Sequence, residues 1–362
     1  DQTESSVMIH SLCKPCVPVF LALLILVSAS ASASVKQDSI PHRVVYAVKA
    51  LSPTDVWIGT EEGAAHFDGN AWTVYTTADG LPHNVVTSVA RHPTDGSIWF
   101  GTFGGVARLS NGRFDSFTTT NSGLVNNVVY GLSVTLPYLW IATTNGISRF
   151  NLDDRSWKTF DDKNTKMNEV WIYGVTSEPT GRGDTWFAIW GSGMMLVKED
   201  GTFHSFQDPD DIFDVDVVRN DGPLHEIQVA ISAVGNVVYS GAYFGLTRYD
   251  GKNWNTWTVK DPDSGLPSDF INCVTMSPDG RLCAIGTDKG LCIHDFARGK
   301  WVTYRRNSRG PGGELVTFEN GVWKTETTPE APAGDFIWSV DFVGNTLWVG
   351  TASGLYTMHL AM

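Results

Sequence analysis

The chain has 362 residues, 42% of them hydrophobic, with 36 glycines, 14 tryptophans and a formal charge of -13. An acidic chain without a polybasic run argues against a nucleic-acid partner, which requires a basic footprint. The length admits one or two domains, so the decision rests on how the sequence is organised.

Residues 1 to 7 are mostly polar and precede Met8, the expected translation start. Lys14, a largely apolar stretch over 17–27 and the Ser/Ala alternation of 28–34 form a secretory signal pattern, with cleavage expected after Ala31 or Ala33. The expected boundaries are therefore 1–33 for the leader and 34–362 for the folded module. The apolar run is short for a membrane span, which predicts a periplasmic or extracellular location, membrane-associated if the leader is retained. Cys13 and Cys16 form a C-x-x-C, but inside the leader, where neither redox chemistry nor haem attachment is expected.

From about residue 42 the chain repeats itself. Val56-Trp57-Ile58-Gly59-Thr60 returns around Gly101, Ala142, Ala188, Gly241, Gly286 and Gly350, in steps of 42, 41, 46, 53, 45 and 64 residues. A period of this size signals stacked or radially arranged units. The first repeat contains four short runs, 44–48, 55–60, 64–67 and 71–75, rich in Val, Trp, Tyr and Thr and broken at Glu61-Glu62-Gly63 and Asp68-Gly69-Asn70. That is strand-and-turn grammar. Four antiparallel strands repeated seven times predict an all-β fold, a single β-propeller of seven four-stranded blades; six or eight blades stay open. Blades packed in a ring bury both faces of each sheet. Two sets of tryptophans are expected to pack between blades: Trp57, Trp99, Trp140, Trp186 and Trp348 in second strands, and Trp72, Trp157, Trp254, Trp301 and Trp323 near the start of fourth strands.

The repeat resembles the two-component regulator propeller repeat. The resemblance rests on W-I-G-T, on Gly105-Val106-Ala107-Arg108-Leu109, Gly146-Ile147-Ser148-Arg149-Phe150 and Gly245-Leu246-Thr247-Arg248-Tyr249, and on the links Asp79-Gly80-Leu81-Pro82 and Ser264-Gly265-Leu266-Pro267. In that family such propellers often form the periplasmic sensing part of histidine kinases, followed by a further β-domain, a membrane helix and a kinase. The sequence to Met362 carries none of those output parts, so an accessory role is expected in place of signalling within one chain.

Repeats four and five depart from the pattern, with Trp190 at the turn and an acidic stretch, Asp208-Pro209-Asp210-Asp211, before the fifth. A half-blade-like insertion at about 306–332 copies a third and fourth strand without the first two. The last repeat has three strands, so ring closure is expected to borrow an outer strand from 35–39 or from this orphan pair; closure from the N-terminal segment is the commoner propeller device and would leave the orphan pair as a surface hairpin. Cys273, Cys283 and Cys292 lie in the sixth repeat; a Cys283–Cys292 disulfide and buried free thiols are both open.

In this topology the links between blades and the turns between second and third strands open on one face. Phe103, Trp190, Tyr243 and Phe244 occupy such turns and His83 a link, which makes these five the candidate binding residues. The histidines are scattered without metal-ligand spacing, so no catalytic residue, metal site or cofactor is assigned. Asp208, Asp210 and Asp211 lack EF-hand spacing and leave a structural calcium ion as a minor expectation. Three functions follow in order: a non-catalytic secreted or periplasmic module docking a partner protein or membrane-associated complex; a carbohydrate or small-ligand binding module with Trp190 and Tyr243 as stacking platforms; and a propeller lyase or hydrolase with a site in the central funnel.

Overall fold

A computed structural model describes residues 40, 43–178, 183–210, 218–307, 312–328 and 336–360. The leader and the segment 35–39 lie outside the described residues. Seven antiparallel sheets are arranged as blades around one axis. Blade one runs outward through Val45–Ser52, Asp55–Thr60, Gly63–Phe67 and Trp72–Tyr75. The first strands of the next six blades are Val86–Arg91, Val129–Thr135, Ile172–Ser177, Gln228–Val234, Ile271–Met276 and Ile337–Val343. Each packs against its successor, and Ile337–Val343 packs against Val45–Ser52, which closes the ring. Among the described residues no helix is long and apolar enough to cross a membrane.

Three positions of the recurring pentapeptide, those of Trp57, Gly59 and Thr60, have separate tasks. Trp99 and Trp140 are almost fully buried between neighbouring blades and lie under a third-strand guanidinium, with Arg108 5.7 Å above Trp99 and Arg149 5.4 Å above Trp140. In blade one His66 stacks on Trp57 instead, at 4.0 Å and 10°. The threonine closes the turn: Thr60 Oγ1 donates to the Gly63 carbonyl at 2.8 Å and accepts the Glu62 N–H. Thr102, Thr143, Thr287 and Thr351 donate in the same way. Blades four and five carry Ile189 and Ala242 there and forgo the hydroxyl.

The small residue before the threonine marks where two blades approach most closely. A Cβ on Gly59 would lie 2.5 Å from the Val86 carbonyl of blade two. The register shows how this is managed. Ala47 faces Gly59, Ser88 faces Gly101, Ala230 faces Gly241, Cys273 faces Gly286 and Ser339 faces Gly350. In blades three and four the order reverses, with Gly131 facing Ala142 and Gly174 facing Ala188. Every blade thus keeps one glycine in this cross-strand pair, on either strand.

Of the two sources open for a closing outer strand, the orphan hairpin, Gly313–Glu319 and Val322–Thr328, does not serve the seventh blade: Gly313–Glu319 pairs with Lys300–Arg306, so blade six has six strands, and blade seven has three among the described residues. The cause is continuity, because a hairpin entering directly after a fourth strand finds that strand's free edge first. Trp323 consequently has no blade outside it. It is 45% exposed and its ring meets that of Phe318, its partner within the same hairpin, at 4.6 Å, unlike the inter-blade tryptophans.

Candidate functional site

The link face is organised by a β-bulge repeated in all seven first strands. The pairing of first with second strand skips one residue near the start: Tyr46, Thr87, Tyr130, Tyr173, Val229, Asn272 and Trp338. A bulge re-aims the extra side chain out of the ladder. Here six of the seven re-aimed groups meet a neighbouring blade. Thr87 Oγ1 donates to the Val129 carbonyl at 2.6 Å, and Asn272 Nδ2 donates to the Ile337 carbonyl at 3.0 Å. Tyr130 stacks on Tyr173 at 4.6 Å, and Trp338 meets Tyr46 edge-on at 5.3 Å.

The turns are tied into the same level. The Phe103 N–H donates to the Val85 carbonyl, that of Trp190 to Trp171, that of Asp288 to Phe270 and that of Ala352 to Phe336, at 2.9–3.3 Å. Each acceptor immediately precedes a first strand, so the turn tip sits beside the bulge. Aromatic residues concentrated at these three kinds of position form a continuous chain. It runs from His83 to Phe103 (6.3 Å), Tyr130 (5.8 Å), Tyr173 (4.6 Å), Trp190 (5.6 Å) and Tyr243 (5.3 Å). From there it continues to Phe270 (4.0 Å), Phe336 (6.5 Å), Trp338 (4.5 Å) and Tyr46 (5.3 Å). Residues from all seven blades or the links leading into them take part.

Four of the five residues singled out from sequence, His83, Phe103, Trp190 and Tyr243, therefore stand in one collar. Phe244 does not. It lies flat on His225 at 4.1 Å and 18°, beside its own link. The sequence reading missed Tyr46, Tyr130, Tyr173, Phe270, Phe336 and Trp338. Their shared signal is an aromatic either just before the first strand or at its second residue, a register that becomes visible only when all seven repeats are aligned.

The collar is apolar with hydrogen-bonding groups set into it. Burial, then the neighbouring Tyr130 and Tyr243, push the Tyr173 phenol well above its ordinary range; burial and Tyr130 raise Tyr243, and burial and Glu61 raise Tyr46. These hydroxyls remain protonated at neutral pH and can donate. The Trp338 indole N–H and the Ser339 hydroxyl are buried and have no hydrogen-bond partner among the described residues. His83 Nδ1 accepts the Val85 N–H at 2.9 Å, so a neutral ring carries its proton on Nε2. Phe103 and Trp171 are exposed at the rim, at 38% and 48%.

Other chemistry-bearing groups are used locally. Asp79 Oδ2 accepts the Thr76 N–H at 2.8 Å. Asp210 accepts the Val218 N–H at 2.8 Å, while Asp211 lies outside the described residues. Among the described residues no group of three or more His, Cys, Asp or Glu is arranged to hold a metal ion. A cleft between blades two and three is lined by His92, Asp95, Trp99 and Arg108, with the Arg108–Asp95 ion pair, 2.7 Å, in its wall. Cys273, Cys283 and Cys292 are free thiols: Cys283 faces His294 and Cys292 faces Ile285 in the ladder, so the two cysteines are not opposite each other. Burial pushes the Cys273 and Cys292 thiols up to about 12, which keeps them protonated at neutral pH.

The chain is thus a seven-bladed β-propeller with an aromatic-lined link face. No family model and no curated protein matches it. Solved structures do. The extracellular domain of a protein described as a hybrid two-component system from B. thetaiotaomicron shares 14% identity at a TM-score of 0.67, over 92% of this chain and 42% of that one. The corresponding domain of a one-component system from the same organism gives 15% and 0.60, over 88% and 38%. Virginiamycin B lyase from Staphylococcus aureus gives 13% and 0.59, over 88% and 96%. At such identities the likeness establishes the fold. The chain spans about two fifths of these two extracellular domains.

Proposed function

We propose that this propeller is a non-catalytic recognition module, working outside the cytoplasm, that holds a segment of a partner protein against the aromatic collar of its link face. The observation that carries this reading is the unbroken ring-to-ring chain from His83 to Tyr46. Two pairs of the collar stack face to face, Tyr243 on Phe270 at 8° and Tyr130 on Tyr173 at 27°. What remains open is a floor of ring edges, phenol hydroxyls and the rim groups Phe103 and Trp171. Such a floor accepts an apolar side chain with nearby backbone carbonyls, the way interface anchors are received. The extracellular neighbours and the leader pattern support the location. A second reading, a saccharide on the collar, is favoured by Trp171, whose half-exposed indole offers a platform for stacking.

The test compares wild type with Trp171→Ala and Trp190→Ala in affinity purification from the source envelope with mass spectrometry, alongside fluorescence titration with neutral oligosaccharides. A stoichiometric protein retained by wild type and lost from both variants supports docking. Saturable quenching by one oligosaccharide, abolished in Trp171→Ala, transfers the collar to glycan recognition. A partner that both variants retain in full removes the collar from the function.

A further inference from the structure

We propose that the outer strand of blade six, Val322–Thr328, is a self-complementary edge through which two copies of this chain join their sheets, antiparallel and centred on Thr325. The strand is the last in its six-stranded sheet, and among the described residues nothing pairs with its outer edge. It is exposed along almost its whole length, with Val322 at 65% and Trp323 at 45%.

The hairpin geometry fixes which backbone groups face outward. Glu319 pairs with Val322 across a two-residue turn, and Asn320 and Gly321 both have positive φ, 53° and 78°. This is the type I′ turn that matches strand twist. In such a hairpin the residues flanking the turn exchange both hydrogen bonds, and the pattern alternates from there. The N–H and C=O of Val322, Lys324, Glu326 and Thr328 therefore point into the sheet, and those of Trp323, Thr325 and Thr327 point out.

A second copy laid antiparallel about Thr325 meets this row exactly in phase. Thr325 faces Thr325 of the other copy as a hydrogen-bonded pair, and Trp323 faces Thr327 on either side, so all three outward residues of each copy donate and accept. The non-hydrogen-bonded positions between them place Lys324 opposite Glu326 of the other copy, twice over. These are the positions where cross-strand side chains come closest. Within one chain Lys324 and Glu326 already form an ion pair, so both charges are oriented along this face. Edge strands are guarded against pairing by proline, by inward-pointing charge or by charged side chains, Lys above all; here the one Lys is matched by one Glu, which a second copy sets opposite it. Val322–Thr328 has no proline, is rich in β-branched residues, and places opposite charges symmetrically about its centre. One strand pair alone falls below the roughly 1,200 Å² of a standard stable interface, so the dimer is expected to be concentration-dependent.

The experiment is sedimentation velocity on the full chain across a concentration series, with four variants. Wild type is expected to shift from monomer to dimer. Thr325→Pro removes an outward N–H that the monomer fold does not use, and is expected to stay monomeric with an unchanged near-UV spectrum. Lys324→Glu and Glu326→Lys each set like charges opposite one another and are expected to weaken the dimer roughly tenfold. The double exchange K324E/E326K restores opposite pairs and is expected to restore dimerisation, which keeps the test decisive even if the proline variant misfolds. Wild type that stays monomeric throughout, a dimer untouched by Thr325→Pro, or a double exchange no better than the single ones overturns the proposal.

Discussion

The ring of Tyr243, at a turn tip of blade five, lies flat on that of Phe270 in the link to blade six, 4.0 Å away and within 8° of parallel. Two segments that belong to different sheets are thus locked at the rim by one aromatic stack. Stacked pairs contribute about 0.5–1.5 kcal/mol beyond their burial. Tyr243→Ala and Phe270→Ala should therefore couple by about 1 kcal/mol in a double-mutant cycle read by urea unfolding. Additive losses would mean that the two rings merely share a surface. Either single variant should also lower affinity for the proposed partner, since each one breaks the collar between blades five and six.

The parts of this design that were legible in the sequence are those with a local cause. Thr60, Thr102 and Thr143 recur because each closes its own turn, and Gly63, Gly105 and Gly146 recur because each begins a third strand at positive φ, at 144°, 133° and 105°. Local causes repeat locally, so the period could be counted. The collar has no local cause. Tyr130 and Tyr173 matter through a bulge that exists only once the first strand is paired, and through contact between blades about forty residues apart. The turn-tip aromatics stood out because turns rarely carry them, whereas an aromatic in a strand looks like core. Phe244 stood out for the same reason as Tyr243, yet its ring lies on His225 and outside the collar. The orphan hairpin was readable as half a blade, but its host was not, because edge pairing depends on which free edge lies nearest.

The one-glycine rule between first and second strands makes a direct stability prediction. Gly59→Ala introduces a Cβ 2.5 Å from the Val86 carbonyl, and overpacking of this kind should cost about 1–3 kcal/mol in chemical unfolding. Blades three and four carry the alanine on the second strand and the glycine on the first. The double variant Ala47→Gly/Gly59→Ala gives blade one that arrangement, letting the second strand move inward, and should be more stable than Gly59→Ala alone. If the added Ala47→Gly change deepens the loss, the reversal in blades three and four reflects their neighbours and not the pair itself.

His294 predicts an acid limb. It is buried between blades five and six, stacked on Trp301 at 3.8 Å, with its Nδ1 3.3 Å from the Tyr239 hydroxyl. Burial, then Arg248 nearby, lowers its pKa to about 3. Above pH 6.5 the ring is neutral in both folded and unfolded chains, and it contributes no pH dependence. As pH falls below 6.5 the unfolded chain takes up a proton that the folded one refuses, so stability drops until the folded pKa is reached. By pH 5 this single group should cost about 2 kcal/mol. His294→Gln keeps a polar partner for Tyr239 and does not titrate, so its stability between pH 7 and 5 should fall less steeply than that of wild type. Parallel curves would assign the acid limb to carboxylates alone.

Closure of the ring turns on Asp341. In blades three and five a serine in the first strand, Ser133 or Ser232, accepts the N–H of Ser177 or Met276 in the next blade's first strand, each at 3.0 Å. Asp341 does the same for Ala50 at 2.9 Å, across the junction where the last blade meets the first, and also holds Lys49 at 3.1 Å. A buried N–H without an acceptor costs about 1–3 kcal/mol, whereas a part-exposed ion pair contributes less. Asp341→Ala should therefore lower stability by about that amount and speed hydrogen exchange at Ala50, as the junction between blades seven and one opens first. Asp341→Ser should recover much of the loss only if the serine reaches as it does in blades three and five. Recovery by Asn but not Ser would say that the closing junction is wider than the others and needs the longer side chain. Equal loss in all three would make the Lys49 charge pair, and not the N–H, the group that holds the ring shut.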